Sequence, residues 1–212
     1  MTLAISLKST DLAALLCSRI CHDLISPIGA IQNAMELYDE GNADEDVLQL
    51  VRLSVANASA RLQFARLAFG AVGGVEDKVD TIFAEQVSQQ YMKEEKAILK
   101  WQAASFLLPK DEIKLLLNLL LIANATVSQG GEIGVVILQN TDQRLFRFEI
   151  RGKILRIPSH FIELYNGKMP EELIDARIAQ FYYTILLAEI TAMKISIHET
   201  SDCIIFECIK KF

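Results

Sequence analysis

His22 and Asp23 are adjacent residues whose types could together carry out group-transfer chemistry. An unprotonated imidazole nitrogen is a good nucleophile near neutral pH, and it is a good leaving group when a phosphoryl group attached to it is attacked. The Asp23 carboxylate could orient the ring or accept its proton during that attack. The pair could therefore support reversible phosphoryl exchange through His22. The simpler alternative is a solvated histidine beside an ordinary surface carboxylate.

The surface predicted around His22 is small and mostly uncharged. With about 100° of rotation per residue, His22 lies nearly opposite the apolar stripe of its predicted helix and points to solvent. A partner protein could approach such a surface closely, and an apolar side chain at its margin would add affinity. We expect the docking contacts at Arg19, Ile25, Ser26, Gly29 and Asn33.

The first third of the chain predicts two long helices, because apolar residues recur there at steps of three and four on either side of the polar segment 39–44. The first run is Leu12, Leu16, Ile20, Leu24, Ile28, Ile31, Met35 and Tyr38, and the second is Val47, Leu50, Val51, Val55, Ala58, Leu62, Ala65 and Phe69. Two helices cannot enclose a core alone. We therefore expect an antiparallel hairpin that pairs with a second copy of the chain as a four-helix bundle, which makes the protein a homodimer.

Gly73 and Gly74 are a plausible hinge, because strands and helices alternate after them. We expect an α+β chain with a helical hairpin in residues 1–73 and a two-layer α/β sandwich in residues 74–212. The elements predicted for the sandwich are strands near 78–82, 98–103, 133–139, 145–151, 194–199 and 203–209, with helices ending near 96 and covering 110–127 and 175–193.

The composition indicates a cytoplasmic protein that binds other proteins. The 212-residue chain is 51% hydrophobic, enough for a packed core, and its net charge of −6 argues against a nucleic-acid-binding surface. The longest apolar stretch, residues 115–123, is far shorter than the roughly 20 residues that span a bilayer. No targeting peptide is visible, so we expect no association with a membrane.

The four cysteines lack the spacing of a disulfide framework, and we expect reduced thiols. Cys17 and Cys21 lie close to His22, but the second pair of ligands that zinc usually needs is not evident. We therefore expect no metal site and no cofactor in this chain.

The segment around His22 is similar to the H-box of sensor histidine kinases. In residues 18–28, Ser-Arg-Ile-Cys-His-Asp-Leu-Ile-Ser-Pro-Ile, the histidine is followed by an acidic residue and a leucine, and Pro27 comes five residues after it. A proline inside a helix costs about 3 kcal/mol or more, so Pro27 requires a reason such as local bending beside His22. The resemblance implies that His22 is the phosphoacceptor and that Asp23 assists it.

Residues 74–212 resemble the ATP-binding domain of the same kinases, but the nucleotide motifs are degenerate. The N-box has two asparagines four residues apart, whereas here Asn118 is followed by Ile122, and Asn124 comes two residues late. We expect Asn118 and Asn124 to form hydrogen bonds at the surface or end of their helix. Bulky residues fill 177–184, where the kinases have a glycine-rich loop, so we expect no ATP binding.

An intact H-box beside a degenerate kinase domain resembles the ChpT family of histidine phosphotransferases. The resemblance covers the whole chain and implies a dimeric phosphorelay intermediate. Members of that family accept phosphate from the receiver domain of a hybrid kinase of the CckA type and pass it to response regulators of the CtrA and CpdR type. Mg²⁺ would then lie on the partner's receiver domain.

Two other functions remain open. An ATP-dependent histidine kinase with an unusual nucleotide site would label itself from ATP alone. A non-catalytic dimeric adaptor would keep its function when His22 is replaced. In the second domain, Arg144, Arg147 and Arg151 recur along one predicted hairpin and could contact an acidic receiver or form a solvated basic edge.

Overall fold

The computed structural model describes residues 7–41, 44–70, 78–168 and 174–212. These residues form an N-terminal helical hairpin and a second unit built on a mixed β-sheet, so the expected α+β architecture is confirmed. The predicted boundary between Gly73 and Gly74 lies outside the described residues and remains a prediction.

The hairpin consists of α1 (Ser9–Asp39) and α2 (Glu45–Ala68), which pack along each other. Asp44 caps α2, because its side chain accepts a hydrogen bond from the Val47 amide at 2.9 Å. Helix α1 is continuous through the buried Pro27. Helix α1 is long and apolar enough to cross a membrane, judged by length and composition alone. For one helix near the N-terminus, this is only weak evidence of a membrane span.

The hairpin leaves a regular apolar stripe uncovered, here called the open seam. On α1 it steps by four and three residues, the spacing of a coiled-coil core, and on α2 it repeats every seven residues. Its members, exposed or half-buried, are Cys17, Cys21, Leu24, Ile28, Ile31 and Met35 on α1, and Leu48, Val55 and Leu62 on α2. The single stripe expected on α1 is therefore divided, since Leu16 packs inside the protomer while Ile28 and Met35 remain open.

The second unit contains a five-stranded sheet in the order β2-β4-β5-β7-β6. Strands β2 and β4 are parallel, and the other neighbouring strands are antiparallel. The elements that follow the hairpin are β1 (Lys78–Asp80), α3 (Thr81–Met92), β2 (Ala97–Ala103), β3 (Leu107–Pro109), α4 (Lys110–Thr126), β4 (Gly131–Gln139), β5 (Gln143–Gly152), α5 (Ser159–Tyr165), α6 (Ala176–Ile190), β6 (Lys194–Glu199) and β7 (Cys203–Lys211).

Most of these elements match the sequence-based predictions, and two were missed. Strand β3 pairs with β1 in a separate two-stranded sheet, and α5 is a helix of 7 residues. Both are too short to produce a recognisable period. The predicted β4–β5 hairpin is confirmed, with Asn140 accepting hydrogen bonds from the amides of Asp142 and Gln143 in its turn.

Helix α4 is the centre of the second unit. It contacts α2 and α6 as well as β5, so residues around its whole circumference are buried. Glu112 in its first turn is also buried, and its carboxylate accepts hydrogen bonds from Arg144 and, at 2.9 Å, from Lys210. The charge is therefore paired, as a buried carboxylate requires.

The three arginines of β5 do not form one basic edge, which corrects that expectation. Arg144 points into the protein towards Glu112, whereas Arg147 and Arg151 lie on the opposite face of the sheet. Arg147 donates to Glu207 at 3.0 Å, and Arg151 donates to Glu149. Each guanidinium is committed to a carboxylate of this chain, so none of the three is a free contact for an acidic partner.

Candidate functional site

His22 lies on the middle of α1 with 82% of its side chain exposed. Its Nδ1 is 3.6 Å from Oδ1 of Asp23, and the other oxygen of Asp23 accepts a 3.0 Å hydrogen bond from Nε of Arg19. Arg19 therefore holds the carboxylate beside the ring. The ring nitrogen Nε2 is the one turned away from Asp23, which leaves it as the nitrogen for attack on an incoming group.

The position of His22 follows from what the rest of α1 packs against. One side of the helix, with Leu16 and Ala34, is buried in the protomer, and another side forms the open seam. His22 lies on the remaining face of the helix, which belongs neither to the buried side nor to the seam. Pro27 has no N–H, so the carbonyl of Asp23 lacks the helical donor it would otherwise have four residues later.

Of the five predicted docking residues, Arg19 lies beside the ring in its hydrogen bond to Asp23, and the other four lie on the outward surface of α1. Ile25 is 68% exposed, and Ser26 and Asn33 are exposed as well. A Cβ atom added at Gly29 would meet nothing within 4 Å, so packing within the protomer does not require a glycine there. Since glycine costs about 1 kcal/mol relative to alanine inside a helix, a close approach by a partner is a reasonable cause.

Arg19 also borders a cleft of about 550 Å³ between α1 and the second unit, here called the basic cleft. Three arginines, Arg19, Arg156 and Arg177, line it together with His160, and no Asp or Glu of the described residues lines it. Within the described ranges, the guanidinium groups of Arg156 and Arg177 have no carboxylate partner. Sequence reasoning missed this cleft because its arginines come from three separate segments, and only tertiary packing brings them together.

Asn118 differs from what the sequence indicated. It is fully buried, not at the helix surface, and its amide group donates to the carbonyl of Ala68 at 3.1 Å and to that of Lys114 at 2.9 Å. Its Oδ1 accepts a hydrogen bond from Gln180 at 3.0 Å. Asn124 is partly buried and donates to Glu95 at 2.8 Å. Both asparagines are therefore occupied by protein partners.

The segment in the place of the kinase glycine-rich loop is the first half of α6. Asp175 caps this helix and accepts hydrogen bonds from the amides of Arg177 and Ile178 at 2.8 and 2.7 Å. Phe181 and Tyr182 are buried behind them. The first-turn N–H groups that could hold a phosphate already have a carboxylate acceptor.

Among the other reactive groups, Cys17 and Cys21 are exposed on the open seam of α1, whereas two cysteines and a tyrosine are buried. In the part of the chain that the structure describes, no group of three or more His, Cys, Asp or Glu could hold a metal ion. Cys203 and Cys208 are buried in the sheet, and burial raises the pKa of Cys208 well above its usual range. Burial, with a smaller contribution from Glu95, also raises the pKa of Tyr91 to about 12.

Known proteins similar to this chain include phosphotransferases. Residues 83–202 match the model of the histidine phosphotransferase C-terminal domain. The protein phosphotransferase ChpT of Brucella abortus (strain 2308) is 50% identical over 206 residues, which cover 97% of this chain and 99% of the relative. The solved structure of a bacterial phosphotransferase is also 50% identical, covers 98% of this chain and 100% of its own, and superimposes with a TM-score of 0.91.

Proposed function

Because the chain belongs to the histidine phosphotransferase family, we propose that His22 is the residue on which it carries the phosphoryl group between receiver domains. The protein is a phosphotransferase that acts by histidine phosphotransfer in a phosphorelay. The observation that supports His22 is its 82% exposed imidazole beside Asp23, on a helix face that no part of the protomer needs for packing.

The geometry suggests how transfer proceeds. The lone pair of His22 Nε2 forms a bond to phosphorus while the bond from phosphorus to the donor aspartate oxygen breaks, which releases the donor as a carboxylate. Asp23, held by Arg19, favours the tautomer with the proton on Nδ1 and stabilises the positive charge that develops on the ring. Transfer to an acceptor aspartate is the reverse of these steps. Mg²⁺ on the receiver would neutralise charge on the phosphoryl group.

The open seam supports a homodimer in the form of a four-helix bundle. Its α1 residues have the four-three spacing of a coiled-coil core, and Leu48, Val55 and Leu62 continue the stripe on α2. A second copy brings an identical seam, so two hairpins can cover each other by two-fold symmetry. In this arrangement His22 faces solvent, since it lies off the seam.

The receiver partner is proposed to contact both the His22 face and the basic cleft. The residues Ile25, Ser26, Gly29 and Asn33 continue the His22 face towards the α1–α2 turn, and the cleft lies in the other direction along α1, next to Arg19. A receiver has an acidic phosphorylation site, so the guanidinium groups of Arg156 and Arg177 complement its charge.

The named partners in this proposal come from the family resemblance. We propose a hybrid kinase receiver of the CckA type as donor and regulators of the CtrA and CpdR type as acceptors, all in the cytoplasm. Relay complexes must separate after each transfer, so a Kd in the micromolar range (on the order of −8 kcal/mol) is expected. The chain itself is proposed to need no ATP.

The function is tested by mixing the protein with a phosphorylated donor receiver, and separately with labelled ATP and Mg²⁺. Acid-labile label that reaches the chain from the receiver but not from ATP supports the relay. Label from ATP alone would make the protein a kinase. If no receiver from the same organism transfers label, the adaptor function is favoured instead.

Charge reversal in the basic cleft tests the second contact. We expect Arg156→Glu with Arg177→Glu to raise the KM for the phosphorylated receiver by about tenfold, because two attractive charges become repulsive. The effect is expected to shrink as ionic strength rises. Lys194→Glu with Lys211→Glu, at exposed sites on β6 and β7 that do not line the cleft, changes the net charge by the same amount and is the matched control. An unchanged KM in the cleft variant at low salt would exclude the cleft from the docking surface.

A further inference from the structure

The end of α2 is part of the core of the second unit. Phe64, Leu67 and Ala68 are buried, and the Phe64 ring stacks on Tyr91 of α3 with 4.3 Å between centroids. The helix that runs beside His22 on α1 therefore continues into the domain that resembles the kinase ATPase. The orientation of that domain relative to His22 depends on how the end of α2 is held.

Asn118 is the polar group that holds it. The Asn118 amide donates to Ala68, whose carbonyl lies at the end of α2 and has no donor within the helix. The same amide donates to Lys114 on α4, and Gln180 of α6 donates to Oδ1 of Asn118 and to Oγ1 of Thr184. One buried network thus joins α2, α4 and α6.

A second polar contact lies beside this network. Arg61 of α2 donates to Glu95 at 3.1 Å, and Asn124 of α4 donates to the other oxygen of the same carboxylate at 2.8 Å. The Arg61 guanidinium also lies over the Tyr91 ring, 5.4 Å from its centroid. Both asparagines of the degenerate N-box therefore connect the hairpin to the second unit.

We propose that Asn118 is a positioning residue for phosphoryl transfer, which fixes the second unit relative to His22 so that a receiver meets both surfaces in one orientation. This inference rests on the proposed function. Apolar packing alone leaves helices some freedom to rotate and slide, whereas buried hydrogen bonds are directional and costly to leave unmade. A fixed orientation lowers the entropy lost when one partner engages two surfaces.

The test separates docking from chemistry in the full-length protein. In Asn118→Leu, we expect the KM for phosphorylated receiver to rise by about tenfold, while labelling of His22 by the small donor phosphoramidate keeps its wild-type rate. A small donor needs the imidazole but not the second unit. An unchanged KM would overturn the inference. An equal loss of both activities would mean that the whole fold is disturbed, and the KM of an Arg61→Ala variant would then decide.

Two further variants complete the design. Phe206→Leu changes a buried side chain in the sheet, away from α2. If it lowers the thermal stability as much as Asn118→Leu does, it should still leave the KM unchanged. Arg61→Ala removes the second contact without opening the Asn118 site, and it should raise the KM in the same direction even if Asn118→Leu folds poorly. Failure of the proposed function itself has a different signature, since wild type would then take no label from the receiver.

Discussion

Alanine at position 22 is expected to abolish acid-labile labelling of the protein by a phosphorylated receiver while leaving the fold and the proposed dimer intact. The loss should be on the order of a thousandfold or more, because no other nucleophile can take the place of the imidazole in the docked complex. His22 is 82% exposed and lies off the open seam, so its truncation creates no cavity and removes no interface contact. Transfer kinetics with labelled receiver, together with circular dichroism and light scattering, measure both parts.

A second exposed histidine, His198, provides the control for that variant. His198→Ala removes an exposed imidazole from β6, 3.9 Å from Glu207, and should transfer at the wild-type rate. Persistent label on His22→Ala would indicate another acceptor. Full signalling by His22→Ala in cells would support the adaptor function, which the sequence alone leaves open.

The helical hairpin and the position of His22 could be predicted because local patterns determine them. A period of three to four residues defines each helix, and the same period places His22 away from the apolar stripe. The division of that stripe could not be predicted. Leu16 and Ile28 have equivalent types and spacing, and only the packing of α1 against α2 and α6 decides that one is buried and the other is 54% exposed.

The burial of Arg144 could have been predicted from the alternation of side chains along β5. Side chains alternate between the two faces of a strand, so Arg144 shares a face with Phe146 and Phe148, while Arg147 and Arg151 share the other. A charged residue in register with two buried phenylalanines indicates a buried ion pair, and Glu112 is the partner. The face of β5 on which an arginine lies is therefore better evidence for its role than the positive charge that all three arginines share.

The burial of Asn118 could not be predicted from local sequence, because its partners lie about 50 and 62 residues away. Once known, it bears on the kinase alternative. Both N–H groups and the Oδ1 of Asn118 already form hydrogen bonds inside the protein. To bind a metal ion through Oδ1, Asn118 would have to give up the hydrogen bond from Gln180, which costs about 1 kcal/mol for a typical bond.

A glutamate at position 28 is expected to convert the proposed dimer to a monomer. Ile28 is 54% exposed in the protomer and lies in the middle of the open seam, so the charge is harmless in a single chain. In a two-fold dimer the substitution brings two carboxylates into an apolar interface, where each lacks a partner. We expect the dissociation constant to rise by about a hundredfold or more, which corresponds to about 2.7 kcal/mol.

Sedimentation or light scattering across a concentration series measures this shift, and Ile98→Glu is its matched control. Ile98 is 66% exposed on β2 of the second unit, so the same change of side chain there should leave the dimer intact. A wild-type protein that is monomeric at all concentrations, or an Ile28→Glu variant that remains dimeric, would exclude the open seam as the interface. His22 is on a different face of α1, so the monomeric variant should still be labelled by phosphoramidate, which separates assembly from the chemistry of the imidazole.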